Sequence, residues 1–71
     1  MLVKLSDPAL VDDFVEFLSR SGCIAQPQNE TTVLVAIPRV LPEDAAALEL
    51  DLYLGIWQAL HWDAHATRLA I

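Results

Sequence analysis

The sequence has few residues of three kinds that small proteins use for stability or function. It contains one cysteine, Cys23, so an internal disulfide is excluded. Its two glycines, Gly22 and Gly55, are too few for a glycine-rich phosphate-binding loop. Four lysines and arginines stand against ten acidic residues, and the formal net charge is -6. This balance excludes a surface that neutralises a nucleic-acid backbone and disfavours binding to anionic lipid, so we expect neither partner.

The chain is nevertheless unusually apolar, since 55% of its 71 residues are hydrophobic. That fraction excludes intrinsic disorder, and the length predicts one domain over residues 1–71. A domain of this size buries only about 60% of its unfolded surface, and such domains often gain stability by oligomerising. No apolar signal segment follows Met1, and acidic residues interrupt the most apolar window, residues 45–60. We therefore expect a soluble cytoplasmic protein.

Hydrophobic periodicity predicts the element order β-α-β-β-α-β. The predicted strands are residues 2–5, 23–26, 31–37 and 66–71, and the predicted helices are residues 8–21 and 42–62. Ser6 or Asp7 is placed to cap the first helix, Pro8 suits its first position, and Gly22 is placed to end it. We expect an α+β, ferredoxin-like split βαβ fold with a four-stranded antiparallel sheet and both helices on one face. Without the last strand, a βαββα version of this plan would remain.

The second predicted helix is apolar on two sides, which a helix that covers one sheet does not need. One stripe contains Ala45, Leu48, Leu52, Ile56 and Ala59, and the other contains Ala47, Leu50, Leu54, Trp57 and His61. Because the helix is longer than the strands, we expect its last turns, with both tryptophans, to extend past the sheet and bind another chain. The predicted homodimer interface consists of Leu50, Leu54, Trp57, His61 and Trp62. The alternative is that both stripes form one broad buried face.

Few residues suggest a chemical site. His61 and His65 have the i, i+4 spacing of helical zinc ligands, although no third ligand accompanies them. Glu49 lies on an apolar side of the second helix, where it can interact with Tyr53, Trp57, Arg39 or Arg68, and Glu49 with Tyr53 is a candidate ligand site.

Cys23 has no basic neighbour in the sequence, which favours a buried structural role over a reactive one. For the strand at residues 31–37, the sequence leaves open whether Val33, Val35 and Ile37 or the alternate residues face outward.

The predicted order of elements resembles that of regulatory ACT-type domains, which dimerise and bind small effectors at helix–sheet interfaces. The resemblance is one of topology, and no residue motif accompanies it. Copper-chaperone domains share the topology but carry a Cys-x-x-Cys loop that is absent here. RNA-recognition motifs have stacking aromatics where this chain has Val33, Val35 and Ile37.

We therefore expect a small non-enzymatic interaction or ligand-sensing, ACT-like module without a cofactor. It would homodimerise through its second helix and bind a small molecule. The alternative is a metal-binding protein or small enzyme subunit that uses His61 and His65.

Overall fold

The chain forms a four-stranded antiparallel sheet and two α-helices in a computed structural model that describes residues 1–69. The elements are β1 (Leu2–Leu5), α1 (Val11–Arg20), β2 (Ile24–Pro27), β3 (Thr32–Ala36), α2 (Glu43–Leu60) and β4 (Ala66–Leu69). The strand order is β2-β3-β1-β4, and each neighbouring pair is antiparallel. The predicted α+β class is confirmed, and the last strand forms. Residues 70–71, which the sequence predicts as its end, lie outside the described residues.

Local sequence signals position α1. The Asp7 carboxylate accepts a hydrogen bond from the backbone N–H of Ala9 (2.9 Å), and one turn of 3-10 helix, Pro8–Leu10, leads into the α-helix. Gly22 follows the helix with a φ of 89°, a left-handed conformation that glycine adopts without a steric penalty. Its N–H donates to the carbonyl of Ser19 (3.2 Å), so α1 ends where the sequence predicts.

A side-chain turn joins β2 and β3. The Asn29 Oδ1 atom accepts hydrogen bonds from the backbone N–H groups of Thr31 (3.0 Å) and Thr32 (2.9 Å). This arrangement reverses the chain and fixes the register of the hairpin, in which Ile24 pairs with Ala36.

The two faces of the sheet have different environments because side chains alternate along each strand. Val33 and Val35 of β3 are buried, and Leu34 is exposed, which decides the orientation that the sequence leaves open. Both helices lie on the buried face, where Phe14 of α1 and Leu50 of α2 belong to the same core. The opposite face, called the open face below, is not covered by any of residues 1–69.

Helix α2 is shorter than the sequence predicts. It ends at Leu60 because His61 leaves the helical region, with φ −131° and ψ 68°. The His61 N–H donates to the carbonyl of Gln58 (3.1 Å), and its own carbonyl accepts from the N–H of Ala64 (2.8 Å). The resulting turn directs the chain back along the sheet into β4. Within residues 1–69, neither helix combines the length and apolar character needed to cross a membrane.

Candidate functional site

An apolar stripe covers the side of α2 that faces away from the sheet. It consists of Ala45, Leu48, Leu52, Ile56 and Ala59 and is called the outer stripe below. The exposed fractions of Leu48, Leu52 and Ile56 are 70%, 62% and 46%. Contiguous apolar surface of this kind is uncommon on monomers and usually marks an interaction site.

The predicted assignment of the two α2 stripes is therefore reversed. Leu50, Leu54 and Trp57, which the sequence predicts in the interface, lie in the core and are at most 4% exposed. A side chain that the chain itself buries has no surface to offer a partner. The prediction is wrong because hydrophobic spacing shows that two faces are apolar without showing which one the sheet covers.

Burial of the largest side chain decides the orientation of α2. The Trp57 ring packs edge-on against Phe14 at a centroid distance of 5.1 Å, and its Nε1–H donates to Asp13 Oδ2 (3.0 Å). The apolar surface of the indole is thus buried in the core, and its N–H group has a hydrogen-bond acceptor. The expectation that Trp57 extends past the sheet is also wrong, whereas Trp62 is 88% exposed beyond the end of α2.

His61 lies in a groove between α1 and α2 of about 190 Å³, and both of its ring nitrogens have partners. Nε2 is 2.9 Å from Asp13 Oδ2, and Nδ1 is 3.0 Å from the carbonyl oxygen of Trp57. The imidazole also stacks on the indole of Trp57 at 4.4 Å. A general base needs a ring nitrogen that can accept a proton from a substrate, whereas both nitrogens of His61 contact groups of the protein itself. In this arrangement the contacts of His61 join the two helices.

The structure does not bring His61 and His65 together as a helical metal site. Because α2 ends before either residue, they are not on successive turns of one helix. His61 lines the groove between the helices, and His65 lines a cleft with Lys4 and Thr67. No cluster of three or more His, Cys, Asp or Glu side chains within residues 1–69 is arranged to hold a metal ion.

Glu49 and Tyr53 do lie together, beside the outer stripe. The Tyr53 hydroxyl donates to Glu49 Oε1 (3.4 Å), and the same oxygen forms an ion pair with Arg39. Glu49 Oε2 is buried and has no hydrogen-bond partner in residues 1–69. The predicted contacts of Glu49 with Tyr53 and Arg39 are thus present, while its contacts with Trp57 and Arg68 are not. A ligand at Glu49 and Tyr53 stays a prediction.

The opposite edge of the outer stripe carries a second ion pair. The Arg68 guanidinium donates to both carboxylate oxygens of Asp51, at 2.8 and 3.1 Å, and so connects β4 to α2. This hydrogen bond lowers the pKa of Asp51 below its ordinary value. Ion pairs thus border the outer stripe on both edges near the middle of the helix.

Cys23 has the structural role that its neighbours suggest. The side chain is buried in the core. Burial raises the pKa of its thiol, and the positive charge of Arg39 offsets part of that effect. A thiol with a raised pKa stays protonated near neutral pH, which makes it a poor nucleophile.

No family model, curated protein or solved structure matches this chain. Its function is therefore inferred from the geometry of the outer stripe and its surroundings. Hydrophobic spacing identifies the residues of this stripe but does not place them on the solvent side. Trp57 is the signal that could have done so, because the stripe with the largest aromatic residue is the one whose burial removes most apolar surface from water.

Proposed function

We propose that this domain is a non-enzymatic interaction module that homodimerises through the outer face of α2. One observation carries the proposal: Leu48, Leu52 and Ile56 are exposed on the side of the helix opposite the core. Burying these side chains against a partner would supply the apolar contact that a domain of this size does not complete by itself.

The spacing of the outer stripe favours a second copy of the chain as the partner. Leu48 and Ile56 each lie four residues from Leu52, and Ala45 and Ala59 each lie seven residues from it. In a two-fold symmetric interface, residue i of one protomer meets residue j of the other, and j meets i. Two antiparallel α2 helices would therefore pair Leu48 with Ile56 of the partner and Leu52 with its own copy.

Small residues let two such helices approach closely. Ala45 and Ala59 lie at the two ends of the stripe, and Gly55 lies beside its centre. A Cβ atom added at Gly55 would meet nothing within 4 Å, so packing within the chain does not require glycine there. Glycine inside a helix costs about 1 kcal/mol relative to alanine. Close approach of a second helix would explain why glycine is present at this position. Antiparallel helices also bring the positive dipole end of one helix next to the negative end of the other.

The proposed dimer is weak and sensitive to salt. One helix face offers little area, and interfaces below about 1,200 Å² in total are typical of transient complexes. Each copy has a net charge of -6, so the two protomers repel each other at low ionic strength. We expect dissociation constants in the micromolar range and tighter association as added salt screens the repulsion.

The proposal includes the ferredoxin-like split βαβ plan. What supports it is the arrangement of the crossovers: β1 and β2 are joined through α1 and lie on either side of β3, whereas β3 and β4 are joined through α2 and lie on either side of β1. Helices α1 and α2 form one layer on the sheet, and the outer face of α2 points away from the sheet. A cytoplasmic location and an ACT-like sensing role are further parts of the proposal, and the single free cysteine is compatible with a reducing compartment.

Sedimentation velocity over a concentration series up to about 500 μM tests the dimer. We expect the native chain to shift from monomer to dimer and Leu52→Asp to stay monomeric, because the symmetry axis would place two aspartates against each other. Leu60→Asp is the matched control, since Leu60 is exposed to a similar extent but lies on the flank of the helix. A native chain that sediments as a monomer throughout would overturn the proposal.

Cysteine cross-linking tests the antiparallel register. Leu52→Cys on the axis should form a disulfide with its own copy under mild oxidation, because facing positions bring the two Cβ atoms within disulfide distance. Leu48→Cys alone should not cross-link, whereas a mixture of Leu48→Cys and Ile56→Cys chains should. The buried Cys23 provides the unlinked background. Equal cross-linking at all three positions would contradict the register.

A further inference from the structure

The open face of the sheet contains a shallow cleft of about 260 Å³ in which polar groups lie beside aliphatic surface. Its lining residues are Lys4, Leu5, Ser6, His65, Thr67 and Leu69. It lies over β1 and the edge strand β4, on the side of the sheet away from both helices. The cleft is therefore separate from the outer stripe, and a ligand could occupy it whether or not the domain dimerises.

Lys4 in this cleft differs from every arginine of the chain. Arg20, Arg39 and Arg68 form ion pairs with Glu16, Glu49 and Asp51 respectively. Lys4 is exposed, and no carboxylate within residues 1–69 forms an ion pair with it. In a protein with ten acidic residues, the ammonium group of Lys4 thus remains available to an external anion.

Hydroxyl groups surround this cation. The strand register places Lys4 directly between Thr32 of β3 and Thr67 of β4, all on the open face. At the end of the cleft, the Ser6 hydroxyl oxygen accepts a hydrogen bond from the backbone N–H of His65 (2.9 Å), which leaves the hydroxyl hydrogen available to an acceptor. The cleft thus offers the Lys4 ammonium group and the hydroxyls of Ser6 and Thr67 to one negatively charged group.

An apolar row adjoins these donors. Leu2 pairs with Leu34 on one side and with Leu69 on the other. The three leucines therefore form a row across the open face, two residues along β1 from Lys4. Leu34 and Leu69 remain partly exposed. A ligand anchored at Lys4 can therefore extend an aliphatic chain over this row and remove leucine surface from water.

We propose that the open-face cleft binds a small monocarboxylate that carries an aliphatic tail. The carboxylate contacts the Lys4 ammonium and the hydroxyls of Thr67 and Ser6, and the tail lies along Leu69 and Leu2. One unpaired lysine matches one negative charge, whereas the net charge of -6 opposes a dianion such as a phosphate monoester. The domain thereby gains a ligand class and a site that the sequence did not indicate.

A two-dimensional ¹H–¹⁵N NMR titration with 4-methylpentanoate tests the site. We expect the amide signals of Lys4, Thr67 and Leu69 to shift in a saturable way, with a dissociation constant in the millimolar range. The amide analogue 4-methylpentanamide lacks the charge, acetate lacks the tail, and inorganic phosphate carries more charge, so each should bind more weakly. Phosphate that binds as tightly as 4-methylpentanoate, or an amide that does so, would overturn the proposal.

Two variants separate the site from nonspecific charge effects. Lys4→Met should weaken binding of 4-methylpentanoate by about tenfold or more, because a hydrogen bond to a charged group is lost. Arg20→Met removes an equal charge on α1, away from the open face, and should leave the affinity unchanged. The dispersion of the same spectra shows whether each variant is folded. Equal weakening in both variants, or no saturable shift in the native chain, would refute the assignment.

Discussion

The two helices lie on the same face of the sheet, but their solvent-facing sides differ in chemistry. The outer side of α1 is charged, with Asp12, Glu16 and Arg20 exposed and an ion pair between Glu16 and Arg20. The outer side of α2 carries the outer stripe, in which Leu52 is 62% exposed. Packing on the same face of the sheet requires each helix to have an apolar inner side, but it places no requirement on the outer side. The difference on the outside is therefore not required by the packing of the two helices against the sheet.

The largest expected effect concerns the inner face of α2. Trp57→Ala should lower the free energy of unfolding by about 3–5 kcal/mol, because it leaves a cavity against Phe14. Chemical denaturation followed by circular dichroism measures this loss. Trp62→Ala is the matched control and should change stability by less than about 0.5 kcal/mol, since Trp62 is 88% exposed. Similar losses in both variants would contradict the assignment of the inner face.

A smaller effect is expected where the two helices meet. Asp13→Ala removes the acceptor of Trp57 Nε1–H and the carboxylate that contacts His61 Nε2. We expect a loss of about 1–2 kcal/mol, since the indole N–H then depends on water in the groove. Asp12→Ala is the control in the same helical turn, so both variants change the helix-dipole interaction alike. Equal unfolding free energies for the two variants would show that Asp13 does not link the helices.

The smallest effect concerns the ion pair at the edge of the outer stripe. The pKa of Asp51 is lowered in the folded chain, chiefly by its hydrogen bond to Arg68. The Asp51 carboxylate therefore stabilises the folded chain at pH values above the pKa of an unfolded aspartate. This stabilisation is lost as the pH falls through the lowered pKa of Asp51 in the folded chain. Both side chains are partly exposed, so Asp51→Asn should cost less than about 1 kcal/mol at neutral pH.

Denaturation of the native chain and Asp51→Asn across a pH series tests this assignment. The difference in unfolding free energy should shrink toward zero in acid. A difference that stays constant from neutral to strongly acidic pH would mean that the carboxylate charge is not responsible.

The sequence predicts the elements of this fold better than their orientation. Capping residues such as Asp7 and Gly22 act locally, so the start of the helical segment at Pro8 and the end of α1 follow from nearby residues. The inner face of α2 does not, because it depends on which stripe accommodates Trp57 against α1. The open-face cleft could not be predicted either, since Lys4 is far in the sequence from His65 and Thr67 and meets them only through the strand register.

The position of β1 within the sheet has a consequence for how the chain folds. β1 is the first strand in the sequence, yet it lies between β3 and β4, and its Leu2 pairs with Leu69. Mixed domains with such long-range strand pairings fold more slowly than helical bundles. During synthesis β1 acquires its second neighbour only after α2 has left the ribosome. Until then, the edge of β1 that β4 covers in the folded domain has no pairing partner and is open to other nascent chains.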